Sequence, residues 1–311
     1  MINLLAAVLF AASPAAAQIN DKVIYGADDR IDLHQTKDAR LLALADSTVG
    51  LFAAAQVADR GPLAGLHTKP YGQTLQLCHD EPFYDQESGP YCSGALIAPD
   101  VVMTAGHCVE DEADCHRIKF VFGFAIKKKG QFPYEVPSKD VYGCKQLLGR
   151  EQTASGVDWA LIKLDRAVKG RVPLKLNRTG VVMDKTPLVV IGHPAGLPTK
   201  IAGGATVRDA SPEGIFTANL DAYGGNSGSP VFNARTGLVE GLLTRGDNDY
   251  VKRGSCLVSN VCADEGCRGE DVTRIAVVAA KLPAARHRAR ASELKPVISS
   301  SLSAVSAEPR P

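Results

Sequence analysis

Three polar residues with complementary chemistry occur in the order His107, Asp158, Ser227, and each lies next to an apolar run. A serine hydroxyl becomes a nucleophile when a histidine removes its proton, and a buried carboxylate can orient that histidine. Each residue alone is explained as well by an ordinary turn or core position. Together they indicate nucleophilic attack on a carbonyl group.

The segment around Ser227 is rich in glycine, with Gly225 before the serine and Gly228 after it. Glycine allows positive φ and a close approach of the backbone to a substrate. The N–H groups of Gly225 and Ser227 could then both point at a developing oxyanion. We therefore expect an oxyanion hole at these two residues.

Two other groups of residues offer competing chemistry. His193 lies between glycine and proline, which favours a structural turn over a catalytic base. Cys108, Cys115 and His116 are close in sequence, but their spacing fits no common zinc pattern. We expect no metal site and no cofactor.

The elements that must position these residues are short strands. From about Ser47 onward, β-branched and aliphatic runs alternate with Gly, Pro, Asn and Asp, a pattern typical of a sandwich or barrel. The clearest runs are Gly94–Met103, Lys119–Phe124, Trp159–Leu164, Pro187–Ile191, Gly214–Leu220 and Gly237–Leu243. The one strong helical pattern is late, over Val272–Arg288, with a break at Pro283.

The N-terminal residues predict that the protein is exported. Residues 1–17 contain an apolar run followed by small residues, which predicts a signal peptide and a secreted or periplasmic protein. Residues 18–290 are predicted to form one domain, and the Ser-, Ala- and Pro-rich residues 291–311 a disordered tail. A net charge of +1 gives no sign of a nucleic-acid partner, and no run is long enough for a membrane anchor. We expect a monomer.

Eight cysteines in an exported chain favour disulfides. Cys92 and Cys108 flank a predicted hairpin, and a bond between them would contribute about 3 kcal/mol by loop entropy. The other six cysteines allow 15 connectivities. Proximity in sequence suggests Cys115 with Cys144, and a local bond among Cys256, Cys262 and Cys267.

Three ordered motifs resemble those of the chymotrypsin-type serine peptidases, and the sequence around Ser227 resembles the bacterial glutamyl endopeptidase branch. The matching stretches are Thr104–Cys108, Asp158–Leu164 and Gly225–Pro230. The resemblance implies an all-β fold of two packed six-stranded antiparallel β-barrels, here with a C-terminal helix. It also implies a catalytic triad of His107, Asp158 and Ser227 that cleaves protein or peptide substrates.

The resemblance also places the residue six before the nucleophile, Asp221, at the base of the primary specificity pocket. A carboxylate there favours cleavage after Arg or Lys. The substrate-binding strand would be Thr244, Arg245 and Gly246. Thr244 stands where the glutamyl branch has histidine, so that branch's preference is not expected, and Arg245 could swing toward Asp221 and close the pocket.

Other functions fit less well. An α/β-hydrolase esterase needs G-x-S-x-G and the triad order Ser, Asp, His, and this chain has neither. A chaperone-protease needs a further folded domain, for which the segment after Ile275 is too short. The stronger alternative is a catalytically silent relative that binds a peptide or protein partner.

Overall fold

Short strands dominate residues 23–282, the part of the chain that the computed structural model describes. In chain order they are β1 Ile24–Tyr25, β2 Arg30–Asp32, β3 Thr48–Ala53, β4 Val57–Arg60, β5 Leu63–Leu66, β6 Lys69–Pro70, β7 Glu87–Ser88, β8 Cys92–Ala98, β9 Val101–Thr104, β10 Ile118–Phe122, β11 Glu135–Pro137, β12 Val141–Gln152, β13 Asp158–Leu164, β14 Pro187–Gly192, β15 Lys200–Asp209, β16 Ile215–Ala218, β17 Pro230–Asn233, β18 Val239–Arg245, β19 Tyr250–Arg253, β20 Cys256–Ser259, β21 Val261–Cys262 and β22 Glu270–Arg274.

Helices in the same residues are short. They are α1 Ala39–Ala45, α2 Tyr71–Thr74, α3 Glu112–His116 and α4 Ile275–Ala279. Single 3₁₀ turns occur at Leu33–Gln35, Ala54–Gln56, Gly106–Cys108, Ser138–Asp140 and Pro194–Gly196. The predicted signal peptide 1–17 and tail 291–311 lie outside the described residues.

The first barrel closes through the strand order β10-β12-β13-β9-β8-β3. Strands β8 and β9 form its central hairpin around a turn at Pro99–Asp100, and β9 pairs on its other side with β13. The interior is apolar because Leu51, Leu96 and Val102 are all fully buried. This hairpin and β13 are the elements that carry His107 and Asp158.

The second barrel closes through β14-β17-β18-β22-β16-β15, since β14 pairs with both β17 and β15. Strand β2 adds to the outside edge of β15. The core contains Leu188, Val190, Phe216 and Leu243, all nearly inaccessible. The prediction of two six-stranded antiparallel barrels is confirmed.

The late helix is shorter than the sequence predicted. Residues 272–274 belong to strand β22, which pairs with β16 on one side and with β18 on the other. Helix α4 then covers only Ile275–Ala279. The prediction of a helix from Val272 was wrong at its start because two strand ladders outweigh the local helical pattern. Its predicted continuation past residue 282 lies outside the described residues.

Four disulfides use all eight cysteines, and each lies within the described residues. They join Cys78 to Cys256, Cys92 to Cys108, Cys115 to Cys144 and Cys262 to Cys267. The local bond suggested for the last three cysteines is Cys262–Cys267, while Cys256 pairs across the fold. Four disulfides indicate an extracytoplasmic compartment. None of the helices in residues 23–282 has the length and apolar character that crossing a membrane requires.

Candidate active site

His107 and Asp158 meet at one end of the first barrel. His107 lies in the 3₁₀ turn that follows β9, and Asp158 is the first residue of β13. The Nδ1 atom of His107 is 2.6 Å from Oδ2 of Asp158, and the backbone N–H of His107 donates to Oδ1 at 3.1 Å. The carboxylate therefore holds both the ring and the backbone of the histidine.

Local packing explains why this turn carries a glycine. A Cβ atom at Gly106 would lie 2.7 Å from the carbonyl oxygen of Glu151 and 2.9 Å from Oδ1 of Asp158. The backbone can approach β12 and β13 this closely only without a side chain. Gly106 thus allows the carboxylate to reach the backbone N–H of the next residue.

A second-barrel residue that the sequence analysis did not identify supports Asp158. Thr273 on β22 accepts a hydrogen bond from the backbone N–H of Asp158 at 3.0 Å. Its hydroxyl also lies 3.2 Å from the carbonyl oxygen of Asp158. This threonine joins the two barrels beside the carboxylate.

Ser227 lies in the loop between β16 and β17 and is almost fully buried. Its Oγ donates to the carbonyl oxygen of Thr244 at 3.2 Å. Its own carbonyl oxygen accepts from the backbone N–H of Ser93 on β8 at 2.8 Å, and lies 3.8 Å from Sγ of Cys108. Since Cys108 follows His107 directly, the serine segment and the histidine turn are adjacent.

Two glycines shape this serine loop. Gly225 and Gly228 have φ of 87° and 86°, which L side chains rarely adopt. A Cβ atom at Gly228 would lie 2.2 Å from the carbonyl oxygen of Ser93. Within residues 23–282, the N–H of Gly225 donates to no protein acceptor, so it is available to a bound oxygen.

His193 occupies a different environment from His107. It is fully buried after β14, and its Nδ1 donates to the carbonyl oxygen of Leu197 at 3.0 Å. Burial lowers the pKa of His193 to about 4, although the hydrogen bond to Leu197 opposes this shift. The ring is therefore neutral at physiological pH and is held in the turn.

Asp221 is buried against the N-terminal segment. Its two carboxylate oxygens accept the backbone N–H groups of Tyr25 and Asp29, each at 2.7 Å. Burial raises the pKa of Asp221 to about 7, although both hydrogen bonds act in the opposite direction. The two N–H groups belong to residues that lie 196 and 192 positions earlier in the chain.

The three residues of the expected substrate-binding strand have separate contacts. Thr244 is buried and donates through Oγ1 to the carbonyl oxygen of Asp271 at 3.1 Å. Arg245 pairs with the Asp271 side chain at 2.6 Å, so it does not swing toward Asp221 as the sequence suggested. A Cβ at Gly246 would lie 2.1 Å from a carboxylate oxygen of Glu270, which is fully buried.

The described residues contain one group of possible metal ligands, Cys92, His107 and Cys108. The sulfur atoms of Cys92 and Cys108 are bonded to each other at 1.99 Å. A metal binds the thiolate form of cysteine, which a disulfide does not provide. The group therefore does not fit a metal site while this bond is intact.

Residues 92–242 match the family model of the trypsin-like peptidase domain. This segment is similar to the trypsin-like peptidase domain, and the resemblance inferred from the three motifs is confirmed. The matched segment contains every residue of the expected triad.

Curated relatives match over shorter segments. Human chymotrypsin-like elastase family member 3A is 29% identical over 127 residues, which are 40% of this chain and 45% of the relative. Member 3B is 33% identical over 100 residues, 32% of this chain and 35% of the relative. An extracellular metalloprotease of Bacillus subtilis (strain 168) is 27% identical over 203 residues, 62% of each chain. In each case the match covers less than two thirds of the relative's length.

Among solved structures, a Glu endopeptidase in complex with MPD has a TM-score of 0.48 at 15% identity, with coverage of 82% of this chain and 96% of that chain. The active form of the Rv3671c protease from M. tuberculosis has a TM-score of 0.46 at 17% identity, with coverage of 89% and 93%.

Proposed function

We propose that this protein is a serine endopeptidase in which His107, Asp158 and Ser227 hydrolyse peptide bonds through an acyl-enzyme. The observation that carries the proposal is the pair formed by His107 Nδ1 and Asp158 Oδ2, 2.6 Å apart. With Nδ1 bound to the carboxylate, Nε2 is the ring nitrogen that remains for proton transfer.

The reaction uses these groups in order. Ser227 Oγ attacks the peptide carbonyl while His107 Nε2 takes the hydroxyl proton, and Asp158 stabilises the imidazolium that forms. The same proton then passes to the leaving amine, which departs as the acyl-enzyme forms. In the second half the water oxygen attacks the acyl carbonyl while His107 takes a water proton, and that proton then passes to Ser227 Oγ as its bond to the acyl carbon breaks and the acid product leaves.

Oxyanion stabilisation is assigned to the N–H groups of Gly225 and Ser227. The positive φ of Gly225 and the close contact of Gly228 with Ser93 give this loop a backbone path that other residues could not adopt. One such donor contributes about 3 kcal/mol to transition-state stabilisation.

Specificity is proposed for bonds after Arg or Lys. Asp221 is the acidic residue expected at the base of the primary specificity pocket. The side chain of Glu270 lies beside Gly246, which is part of the expected substrate-binding strand. Because the Asp221 pKa is raised to about 7, its carboxylate is only partly ionised near neutrality. We expect the preference for basic side chains to strengthen above pH 7 if Asp221 carries it.

The peptidase domain is proposed to extend over residues 18–290, after a signal peptide of residues 1–17. Secretion, or location in the periplasm, and a monomeric state remain part of the proposal. One observation favours the silent alternative: Ser227 Oγ already donates to Thr244 and the side chain is almost fully buried. A protein locked in this form would bind peptides without cleaving them.

Hydrolysis of a mixed peptide library tests the proposal, with cleavage sites identified by mass spectrometry. We expect the protein to cleave after Arg and Lys, and Ser227→Ala to abolish this cleavage. Ser47→Ala is the matched control, because Ser47 is also buried and donates to a backbone carbonyl, that of Val172. Cleavage after other residues would remove only the specificity, whereas folded protein without any Ser227-dependent cleavage would favour the silent form.

A further inference from the structure

Ser93 has a set of contacts that the proposed chemistry does not yet use. It is the second residue of β8 and is fully inaccessible. Its Oγ donates to the carbonyl oxygen of Gly225 at 2.8 Å and accepts from the backbone N–H of His193 at 2.9 Å. Its backbone N–H donates to the carbonyl oxygen of Ser227 at 2.8 Å. Ser93 therefore binds the backbone on both sides of Asn226.

The remaining polar atom of Ser93 is also bonded. Its carbonyl oxygen accepts from Oγ1 of Thr104 on β9 at 2.6 Å. A Cβ atom at Gly228 would lie 2.2 Å from that carbonyl oxygen and 2.3 Å from the threonine hydroxyl. Ser93 is thus fixed by the first barrel and cannot shift without moving the hairpin.

The turn after β14 completes the arrangement from the second barrel. A Cβ atom at Gly225 would lie 2.7 Å from the carbonyl oxygen of His193 and 2.9 Å from the backbone nitrogen of Gly196. The backbone N–H of Ala195 also donates to the carbonyl oxygen of Gly224. Gly225 therefore packs against this turn on one side and is bonded to Ser93 on the other.

Gly225 needs such support because glycine has the widest range of allowed backbone angles of any residue type. Gly225 has a φ of 87°. Because glycine has no Cβ atom and no side chain to pack, nothing in the residue itself restricts rotation about its backbone bonds. The direction of its N–H decides whether a substrate oxygen is bound, and an oxyanion donor is effective only when it is already oriented. The N–H of Gly225 belongs to the same peptide group as the Gly224 carbonyl, which accepts from Ala195. The hydrogen bond from Ser93 fixes the following peptide group through the Gly225 carbonyl, so the two bonds together restrict rotation of the Gly225 backbone.

We propose that Ser93 is a positioning residue of the oxyanion hole: its hydroxyl holds the carbonyl of Gly225 and so fixes one of the two peptide groups that meet at Gly225. The other peptide group carries the N–H of Gly225 and is held through the bond from Ala195 to the Gly224 carbonyl, so that this N–H points at the substrate oxygen. This inference rests on the proposed function of the site. Ser93 does not touch the substrate, and it acts on the transition state through the orientation of one donor. The hydroxyl is needed because glycine or alanine at this position would leave both the Gly225 carbonyl and the His193 N–H unpaired.

The test compares Ser93→Ala with the wild type and with Ser47→Ala, after titration of active sites with a phosphonofluoridate so that only reactive molecules are counted. Because a direct donor contributes about 10²–10³-fold, we expect Ser93→Ala to lower kcat by about 10–100-fold. The KM should change by less than about threefold, since ground-state binding does not depend on this donor. Affinity for a peptide trifluoromethyl ketone should fall in parallel with kcat/KM.

The variant Ser93→Cys distinguishes loss of the hydroxyl donor from a general packing effect. It keeps the size and a weak donor, so we expect it to recover part of the lost kcat, while Ser47→Ala should match the wild type in both constants. If the titrated Ser93→Ala enzyme keeps kcat and inhibitor affinity within about threefold of the wild type, the positioning role is wrong. An equal loss in Ser47→Ala would also overturn it. A wild-type protein that neither cleaves peptides nor reacts with the phosphonofluoridate would instead refute the proposed function.

Discussion

The two barrels differ in the charge that they bury. Within residues 23–282, Asp158 is the one acidic or basic residue on the strands of the first barrel that is buried as a whole residue, and its partner is His107. The second barrel, with β2 and its adjoining loops, buries Arg30, Asp32, Lys200, Asp221, Glu240, Glu270 and Asp271. Buried acidic and basic residues are therefore rare in the first barrel and common in the second.

The partners explain this difference. Lys200 pairs with Asp32, Arg245 pairs with Asp271, and Asp221 accepts two backbone N–H groups. These contacts join the N-terminal segment and the strand edges of the second barrel. Burial of a charge alone does not identify a catalytic group, whereas its pairing with an imidazole at a barrel end supports one.

The largest expected effect concerns the buried charge of the first barrel. Asp158→Asn should keep the side-chain shape but lower kcat by about 10⁴-fold, because an amide no longer selects the correct tautomer of His107. The measurement is kcat on a peptide substrate, together with the urea midpoint. Asp165→Asn is the control, one residue past the other end of the same strand, and it should retain activity. An active Asp158→Asn enzyme would mean that this charge is structural, like those of the second barrel.

The next effect concerns the Lys200–Asp32 pair, whose atoms are 2.5 Å apart and buried. Asp32→Asn leaves the lysine without its countercharge and should cost about 3–5 kcal/mol of unfolding free energy. Urea denaturation measures the loss. The exposed Asp80–Arg253 pair provides the control, since Asp80→Asn should leave the urea midpoint almost unchanged because solvent screens this pair.

Replacing both partners, as in Asp32→Leu with Lys200→Met, should cost much less than Asp32→Asn alone, because no unpaired charge then remains. A double variant as unstable as the single one would show that the hydrogen bonds of the pair, including Lys200 to Gln86, stabilise the fold in their own right.

The smallest expected effect is the pH dependence due to Asp221. Its folded pKa of about 7 lies above the unfolded value, so the folded state binds more protons between about pH 4 and 7. The stability from this group is complete below pH 4 and is lost as pH rises through 7. Asp221→Asn should therefore gain about 2 kcal/mol relative to the wild type between pH 5 and 7. Parallel stability curves for the two proteins over this range would contradict the raised pKa.

The sequence predicted the strands that contain apolar runs, and it did less well where tertiary contacts decide. Runs such as Lys119–Phe124 and Pro187–Ile191 correspond to β10 and β14 within two residues. Strand β12 was not predicted because its twelve residues contain no long apolar run and no regular alternation, and its pairing has two register shifts. Such a strand is specified by its neighbours β10 and β13, not by its own pattern.

The same limit applies to the site. The order His107, Asp158, Ser227 was visible because each residue lies in a recognisable local motif. Thr273 and Ser93 were not identified, because their partners lie more than one hundred positions away in the chain. The contacts of Asp221 with Tyr25 and Asp29 were equally invisible, since only folding brings the N-terminal segment against this carboxylate.

The most direct test of the central claim, that His107 activates Ser227, is covalent labelling with a phosphonofluoridate followed by peptide mapping. The reagent bonds to a serine Oγ only when a base removes its proton and fluoride leaves. We expect one label, on Ser227, in the wild-type protein and no label in His107→Ala within the same time. Labelling of a different serine, or equally fast labelling of Ser227 without His107, would contradict the account.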